Sequence, residues 1–189
     1  HAPFTNIYFE RSGRVVSCCH NRKHIIGTYP QQTIAEIWNG EKVKNLRNFL
    51  KHNDLSSGCH ICKWDLEHGN YTDVKALHFD SMPVLKRFPS MMEFELDNTC
   101  NLECTMCSGE FSSAIRKNRE QKPVIPGVYD LEFVNQLHRF IPHLSLVRFS
   151  GGEPFLVDIY YKIWEKIVTT NPQCLISVQT NGTILNNRV

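Results

Sequence analysis

Met91-Met-Glu-Phe-Glu-Leu-Asp-Asn-Thr-Cys-Asn-Leu-Glu-Cys-Thr-Met-Cys107 is the stretch that decides how this chain is read. Met92, Phe94 and Leu96 alternate with Glu93, Glu95 and Asp97, the period of a β-strand. Three cysteines follow its end at the spacing Cys-x3-Cys-x2-Cys: Cys100, Cys104 and Cys107. An odd set of three close thiols cannot pair off as disulfides, but three thiolates can hold three irons of an iron–sulfur cluster and leave the fourth iron open.

Downstream, the apolar run Leu144 to Phe149 leads into Ser150-Gly-Gly-Glu-Pro154, and a further apolar run ends in Ser177-Val-Gln-Thr-Asn-Gly182. Cysteine triple, Gly-Gly-Glu-Pro and third strand come in an order that resembles the radical S-adenosylmethionine (SAM) superfamily. The resemblance implies a [4Fe–4S] cluster on Cys100, Cys104 and Cys107, with the amino and carboxylate groups of SAM on the open iron. One-electron reduction then releases a 5′-deoxyadenosyl radical, which abstracts hydrogen from a small-molecule or peptide substrate; flavodoxin or ferredoxin would serve as electron donor. Gly151, Gly152, Glu153 and Pro154 are expected to place the methionine part of SAM, with Thr180 and Asn181 near the same pocket. The family often has an aromatic residue just before the third cysteine; here Met106 stands there, large and polarizable enough to pack near the adenine.

The chain has 189 residues, is 41% hydrophobic and 21% charged, and carries 21 basic against 19 acidic side chains, a net charge of +2. That composition suits a globular fold with a core and gives no reason to expect nucleic acid or an anionic membrane as partner. No apolar run is long enough for a membrane span and no leader is visible, so a cytoplasmic setting is expected. The eight cysteines fall as Cys18-Cys19, Cys59-x2-Cys62, the triple and a lone Cys174. Such grouping points to metal or cluster sites in a reducing compartment, and Cys174, opening an apolar strand, to a buried small hydrophobe.

The first part of the chain predicts a hairpin from Phe4 to Cys18 with its turn at Arg11-Ser-Gly13, then a short helix capped by Thr33 and Glu36, then a helix from Glu41 with Val43, Leu46, Phe49 and Leu50 on one face. Gly13-x4-Cys18, Glu36-Ile-Trp-Asn-Gly-Glu41, Leu46-Arg47 and Cys59-x2-Cys62 together resemble the SPASM/twitch auxiliary-cluster module, here ahead of the barrel. The resemblance implies an auxiliary iron–sulfur cluster on Cys18, Cys59 and Cys62. A structural zinc is the alternative for these thiols, with His20, His24 or His60 supplying nitrogen. Successive strand residues point to opposite faces, so only one of Cys18 and Cys19 is expected at the site.

Two domains are expected, 1–80 with a small cysteine-rich α+β twitch fold and its linker, and 81–189 as the first half of a parallel (β/α) barrel of radical SAM type. Helices are predicted over Glu110 to Gln121, after the cap Asp130, and from Val157 to Thr170, where Tyr160, Tyr161 and Trp164 read as core rather than as a radical relay. A half barrel leaves its third strand with an open edge, so more chain is expected beyond Val189, and the module pattern wants a cysteine ahead of His1. The competing function is a non-catalytic scaffold stapled by zinc, which has no use for the Gly-Gly-Glu-Pro segment.

Overall fold

The computed structural model describes residues 2–184, and the expectations about chain ahead of His1 and beyond Val189 lie outside them. Six strands form one mixed sheet: β1 (Asn6–Glu10), β2 (Arg14–Val16), β3 (Gly27–Thr28), β4 (Met91–Glu95), β5 (Leu146–Phe149) and β6 (Leu175–Val178), in the order β3-β2-β1-β4-β5-β6. β1 and β2 make the predicted antiparallel hairpin, with Tyr8 opposite Val16. β4, β5 and β6 run parallel, as the alternation of strands and helices requires.

β1 also pairs with β4, in parallel, from Asn6 opposite Met91 to Glu10 opposite Glu95. The sheet therefore runs without a break across residue 80, where the sequence places a domain boundary. One core crosses it as well: Ile7, Phe9, Ile34 and Trp38 cluster with Phe94, Phe133 and Phe149. Phe9, Phe94 and Phe149 form a ladder over three strands, with ring centroids 5.6 and 5.1 Å apart. The described strands form an open mixed sheet, a coarser architecture than the half barrel that the resemblance implies.

Seven α-helices are described: α1 (Ala2–Thr5), α2 (Ile34–Trp38), α3 (Glu41–Lys51), α4 (His60–Glu67), α5 (Ser113–Asn118), α6 (Leu131–Leu137) and α7 (Asp158–Thr170). α1 takes the place of the first residues of the predicted strand, since Pro3 holds its φ in the helical range. α2 carries the capping box of Thr33 and Glu36, and Asp130 caps α6 by accepting from the Phe133 amide at 3.0 Å. α5 starts later than expected because Ser112 is its cap. Helices α6 and α7 cover one sheet face through Phe133, Val134, Leu137, Tyr160, Ile163 and Ile167. No helix among the described residues is long and apolar enough to cross a membrane.

Two features of β4 and β6 differ from a sheet half covered and half in water. Glu93 and Glu95, on the polar side of the alternation, line a cavity yet are 4% and 3% exposed, because Asn6, Tyr8, Arg11, Arg22 and Arg148 cover them. Leu175 on the edge strand β6 is 68% exposed, while Cys174 just before it is buried in the core and its thiol is pushed up to about 11 by burial.

Tyr160, fully buried, joins α7 to the ends of β4 and β5: its hydroxyl accepts from the Leu96 amide at 2.9 Å and donates to the Ser150 carbonyl at 2.7 Å. Tyr160→Phe leaves the Leu96 N–H without that partner in a dry setting. We expect a loss of about 1–3 kcal/mol, read as a lower urea midpoint with an unchanged slope.

Candidate functional site

A cavity of about 900 Å³ opens over the C-terminal ends of β4, β5 and β6. Its upper wall is the loop after β4, which contributes Cys100, Cys104, Met106 and Cys107. The base of this loop is firmly held. Ser113 Oγ accepts from the Cys100 amide at 3.0 Å and donates to the Cys100 carbonyl at 3.2 Å, and Asn98 Nδ2 donates to the Gly109 carbonyl at 2.9 Å. The tip is open: Cys104 is exposed and Met106 is 93% exposed. All three cysteines are free thiols.

Gly151 and Gly152 form the next wall, with φ of +84° and +57°. Close approach to the protein's own backbone demands glycine at both. A Cβ on Gly151 would stand 2.7 Å from the Asp97 carbonyl oxygen, and one on Gly152 would stand 2.2 Å from that of Thr99. The turn after β5 is thereby packed against the base of the cysteine loop, and the Glu153 amide donates to the Thr99 carbonyl at 2.7 Å.

Glu153 and Pro154, expected to touch a ligand, are buried and do not line the cavity. The Glu153 carboxylate accepts from the Phe155 amide at 3.1 Å, the Thr180 hydroxyl at 2.8 Å and the Asn181 amide at 2.7 Å. It is a clamp that holds the end of β6 beside the glycine turn. Thr180 and Asn181 do line the cavity, and Asn181 Nδ2 donates to Asn101 Oδ1 at 3.0 Å and lies 3.9 Å from the Cys100 sulfur.

The floor is the polar sheet face. Glu95 accepts from the Tyr8 hydroxyl at 2.6 Å, Arg11 at 3.2 Å and Arg22 at 2.8 Å. Glu93 accepts from Asn6 at 2.8 Å and from Arg148 at 3.2 Å. Burial raises the Glu93 carboxyl above its usual range, against the pull of Arg148 and Lys75. Burial likewise raises the Tyr8 phenol, with the Glu95 charge acting in the same direction. The cysteine and glycine motifs do not point to this layer. Its signal is there, as charged or hydroxyl side chains at alternate positions of neighbouring parallel strands: Tyr8, Glu93, Glu95 and Arg148.

Cys18 and Cys19 part ways, although β2 ends at Val16 and the two follow in a bend. Cys18 packs with Ala2, Phe79 and Met91 and is pushed up to about 12, chiefly by burial. Cys19 faces the cavity instead. Cys18 feels the charge of Cys59, which precedes α4, and Cys59 that of Cys62, in the first turn of α4; Asn21 Nδ2 donates to the Cys59 sulfur at 3.4 Å. None of the three lines the cavity. His24 Nε2 lies 3.5 Å from the Lys42 carbonyl. Among the described residues no three side chains of His, Cys, Asp and Glu converge on one point in the manner of a preformed metal site.

Residues 1–63 match the family model described as the SPASM iron-sulfur cluster-binding domain. Comparison with curated proteins and with solved structures returns no match. The matched third of the chain holds Cys18, Cys59 and Cys62 and supplies β1 and Arg22 to the floor of the cavity.

Glu153→Gln keeps the size of the clamp and removes one of its two acceptor oxygens. We expect the Asn181 amide to exchange its hydrogen roughly tenfold faster than in the wild type, as fits the loss of one charge-assisted hydrogen bond. Unchanged exchange at Asn181 would show that Glu153 does not hold the end of β6.

Proposed function

We propose that this chain works as a radical SAM enzyme, with the cavity over β4–β6 as its reaction chamber. The observation that carries the proposal is the meeting of Cys100, Cys104, Cys107, Gly151 and Gly152 around one cavity at the C-terminal strand ends, where catalytic groups of parallel α/β sheets belong. The SPASM match over residues 1–63 supports it, since such domains occur in radical SAM enzymes.

The donor set fits a [4Fe–4S] cluster. Three free thiols face one cavity from a loop that is fixed at its base and open at its tip, so the thiols can close on a cluster without unfolding the sheet. With SAM at its open iron, such a cluster supplies one-electron cleavage of the sulfonium and hydrogen abstraction from a substrate. The chain's own residues position and shield. The Gly151-Gly152 turn sets the depth of the chamber beside Cys100, and Asn181, clamped through Glu153, closes its side. Met106 at the loop tip is free to fold over an adenine. The charged floor fixes where a substrate rests, because Glu93 and Glu95 are held by partners from two neighbouring strands.

Cys18, Cys59 and Cys62 are proposed as ligands of an auxiliary iron–sulfur cluster, in keeping with the SPASM match. A small-molecule or peptide substrate, a flavodoxin- or ferredoxin-like electron donor and a reducing, cytoplasmic setting complete the proposal. A zinc-stapled scaffold accounts for the cysteines but not for the meeting of cysteine loop, glycine turn and polar floor around one cavity.

Two experiments test this. Anaerobically reconstituted protein should contain iron and sulfide and cleave SAM when reduced, and Cys104→Ala should abolish cleavage; stoichiometric zinc with undiminished function in that variant would sink the proposal. The double variant Cys59→Ala, Cys62→Ala should keep reductive SAM cleavage while losing product formation. A double variant that instead unfolds first, seen by thermal melting, would make the second site a structural staple.

A further inference from the structure

The charged floor is not balanced, and its imbalance has a location. Among the cavity-lining residues, Arg22, Lys75 and Arg148 face two carboxylates, Glu93 and Glu95. Both carboxylates are already filled by protein donors: Tyr8, Arg11 and Arg22 on Glu95, Asn6 and Arg148 on Glu93. They have little left to offer a cationic ligand. Arg22 is also spent, giving Nε to the Cys19 carbonyl, Nη1 to Glu10 and Glu95, and Nη2 to Tyr8 and Glu95.

The other two cations are not spent. Arg148 uses only Nη1, towards Glu93 at 3.2 Å and the His78 ring at 3.4 Å; its Nε and Nη2 make no hydrogen bond among the described residues. Lys75 makes no ion pair among the described residues, and its ammonium stands 5.9 Å from the centre of the Phe79 ring. Both side chains are half-buried in the cavity wall, Lys75 from the short 3-10 turn Lys75–Phe79 and Arg148 from β5. Electropositive surroundings are felt beside them: His78 titrates below its ordinary range through desolvation and the charges of Lys75 and Arg148. Unused donors of a guanidinium edge and an ammonium, in one partly dry corner, are the chemistry that receives an anionic oxygen group.

We propose that Lys75 and the free edge of Arg148 form a subsite for an anionic group of the substrate, a carboxylate or a phosphate. The assignment to the substrate, and not to SAM, rests on the proposed function. The subsite lies on the sheet floor, formed by side chains of β5 and the 3-10 turn, whereas the Gly151-Gly152 wall lies beside Cys100. It directs the substrate's charge away from the cysteine loop and its neutral part towards it.

The test is calorimetric titration of the full chain with inorganic phosphate and with succinate, without reductant, alongside separate titration with SAM. Lys75→Met is the main variant, since Lys75 carries no ion pair whose loss would unfold the protein; Arg148→Lys is the second, and Lys162→Met, exposed on α7, removes the same charge elsewhere. Saturable binding of one anion, weakened about tenfold by Lys75→Met and unchanged by Lys162→Met, is the expected result, and the tighter of the two probes names the class. No saturable binding, or equal weakening by Lys75→Met and Lys162→Met, overturns the subsite. SAM displacing the anion also overturns it, because the corner would then serve SAM. Failure of SAM to bind at all counts against the proposed function alone, and the anion titration still decides the subsite.

Discussion

Two carboxylates held almost out of water on the central strand set the terms for the rest of this structure. An unpaired ion buried like Glu93 or Glu95 costs several kcal/mol, so each must find donors before the sheet is stable. The register supplies them. Tyr8 on β1 and Arg148 on β5 are the direct neighbours of Glu93 across the parallel ladders, and Tyr8 leans on to Glu95. Arg11 and Arg22, on the loops around the β1–β2 hairpin, complete the set. The N-terminal hairpin thus lies against β4 for electrostatic reasons as much as apolar ones, and the charged layer on one face answers the Phe9–Phe94–Phe149 ladder on the other.

Above this layer, rigidity and freedom are distributed by distance from the sheet. The strand ends are stitched together: the Ser150 amide donates to the Phe94 carbonyl at 2.8 Å, that of Gln179 to Phe149 at 2.9 Å, and that of Glu153 to Thr99 at 2.7 Å. Gly151 and Gly152 allow this stitching, because any side chain there would push the cysteine loop off its seat. Beyond Cys100 the loop is held again at Leu102 and Glu103, whose carbonyls accept from Ser112 Oγ at 2.7 Å and Arg119 Nη2 at 2.5 Å, and only then do Cys104 and Met106 stand in solvent. The frame is thus fixed at its base and exposed at its tip.

Much of this was legible in the sequence, and what was not has a common cause. The alternation in 91–97, the Thr33–Glu36 capping box, Asp130 and the apolar faces of α6 and α7 are local signals, and each led to the element observed. Alternation alone cannot say what lies on the polar side of a strand; water and a charged cavity write the same pattern. Hence the period marks Glu93 and Glu95 as the polar side of β4 without showing that they are buried. Lys75 was hidden differently, in a segment interrupted by Gly69-Asn70 and Asp80-Ser81 that reads as a connector, and only tertiary folding carries it to the cavity. Glu153 is expected at a ligand, and the structure gives its carboxylate three hydrogen bonds within the chain. The parallel pairing of β1 with β4 leaves no local trace, since some eighty residues separate the partners.

Cys18 and Cys19 show how closely the two cysteine regions are tied. Cys18 belongs to the packed side with Ala2, Phe79 and Met91 and lies within electrostatic reach of Cys59; Cys19 opens into the cavity among Arg22, Lys75 and Glu93. Successive Cα atoms are about 3.8 Å apart, so the packed Cys18 sits one peptide unit from the cavity wall that Cys19 forms. Arg22, three residues on, donates to the Cys19 carbonyl and to Glu95, which fixes that peptide to the charged floor. A shift at Cys18 therefore cannot stay local. It must be absorbed by the Arg22–Glu95 pair or passed to Tyr8 and the central strand, which ties the packing of Cys18 to the shape of the cavity floor.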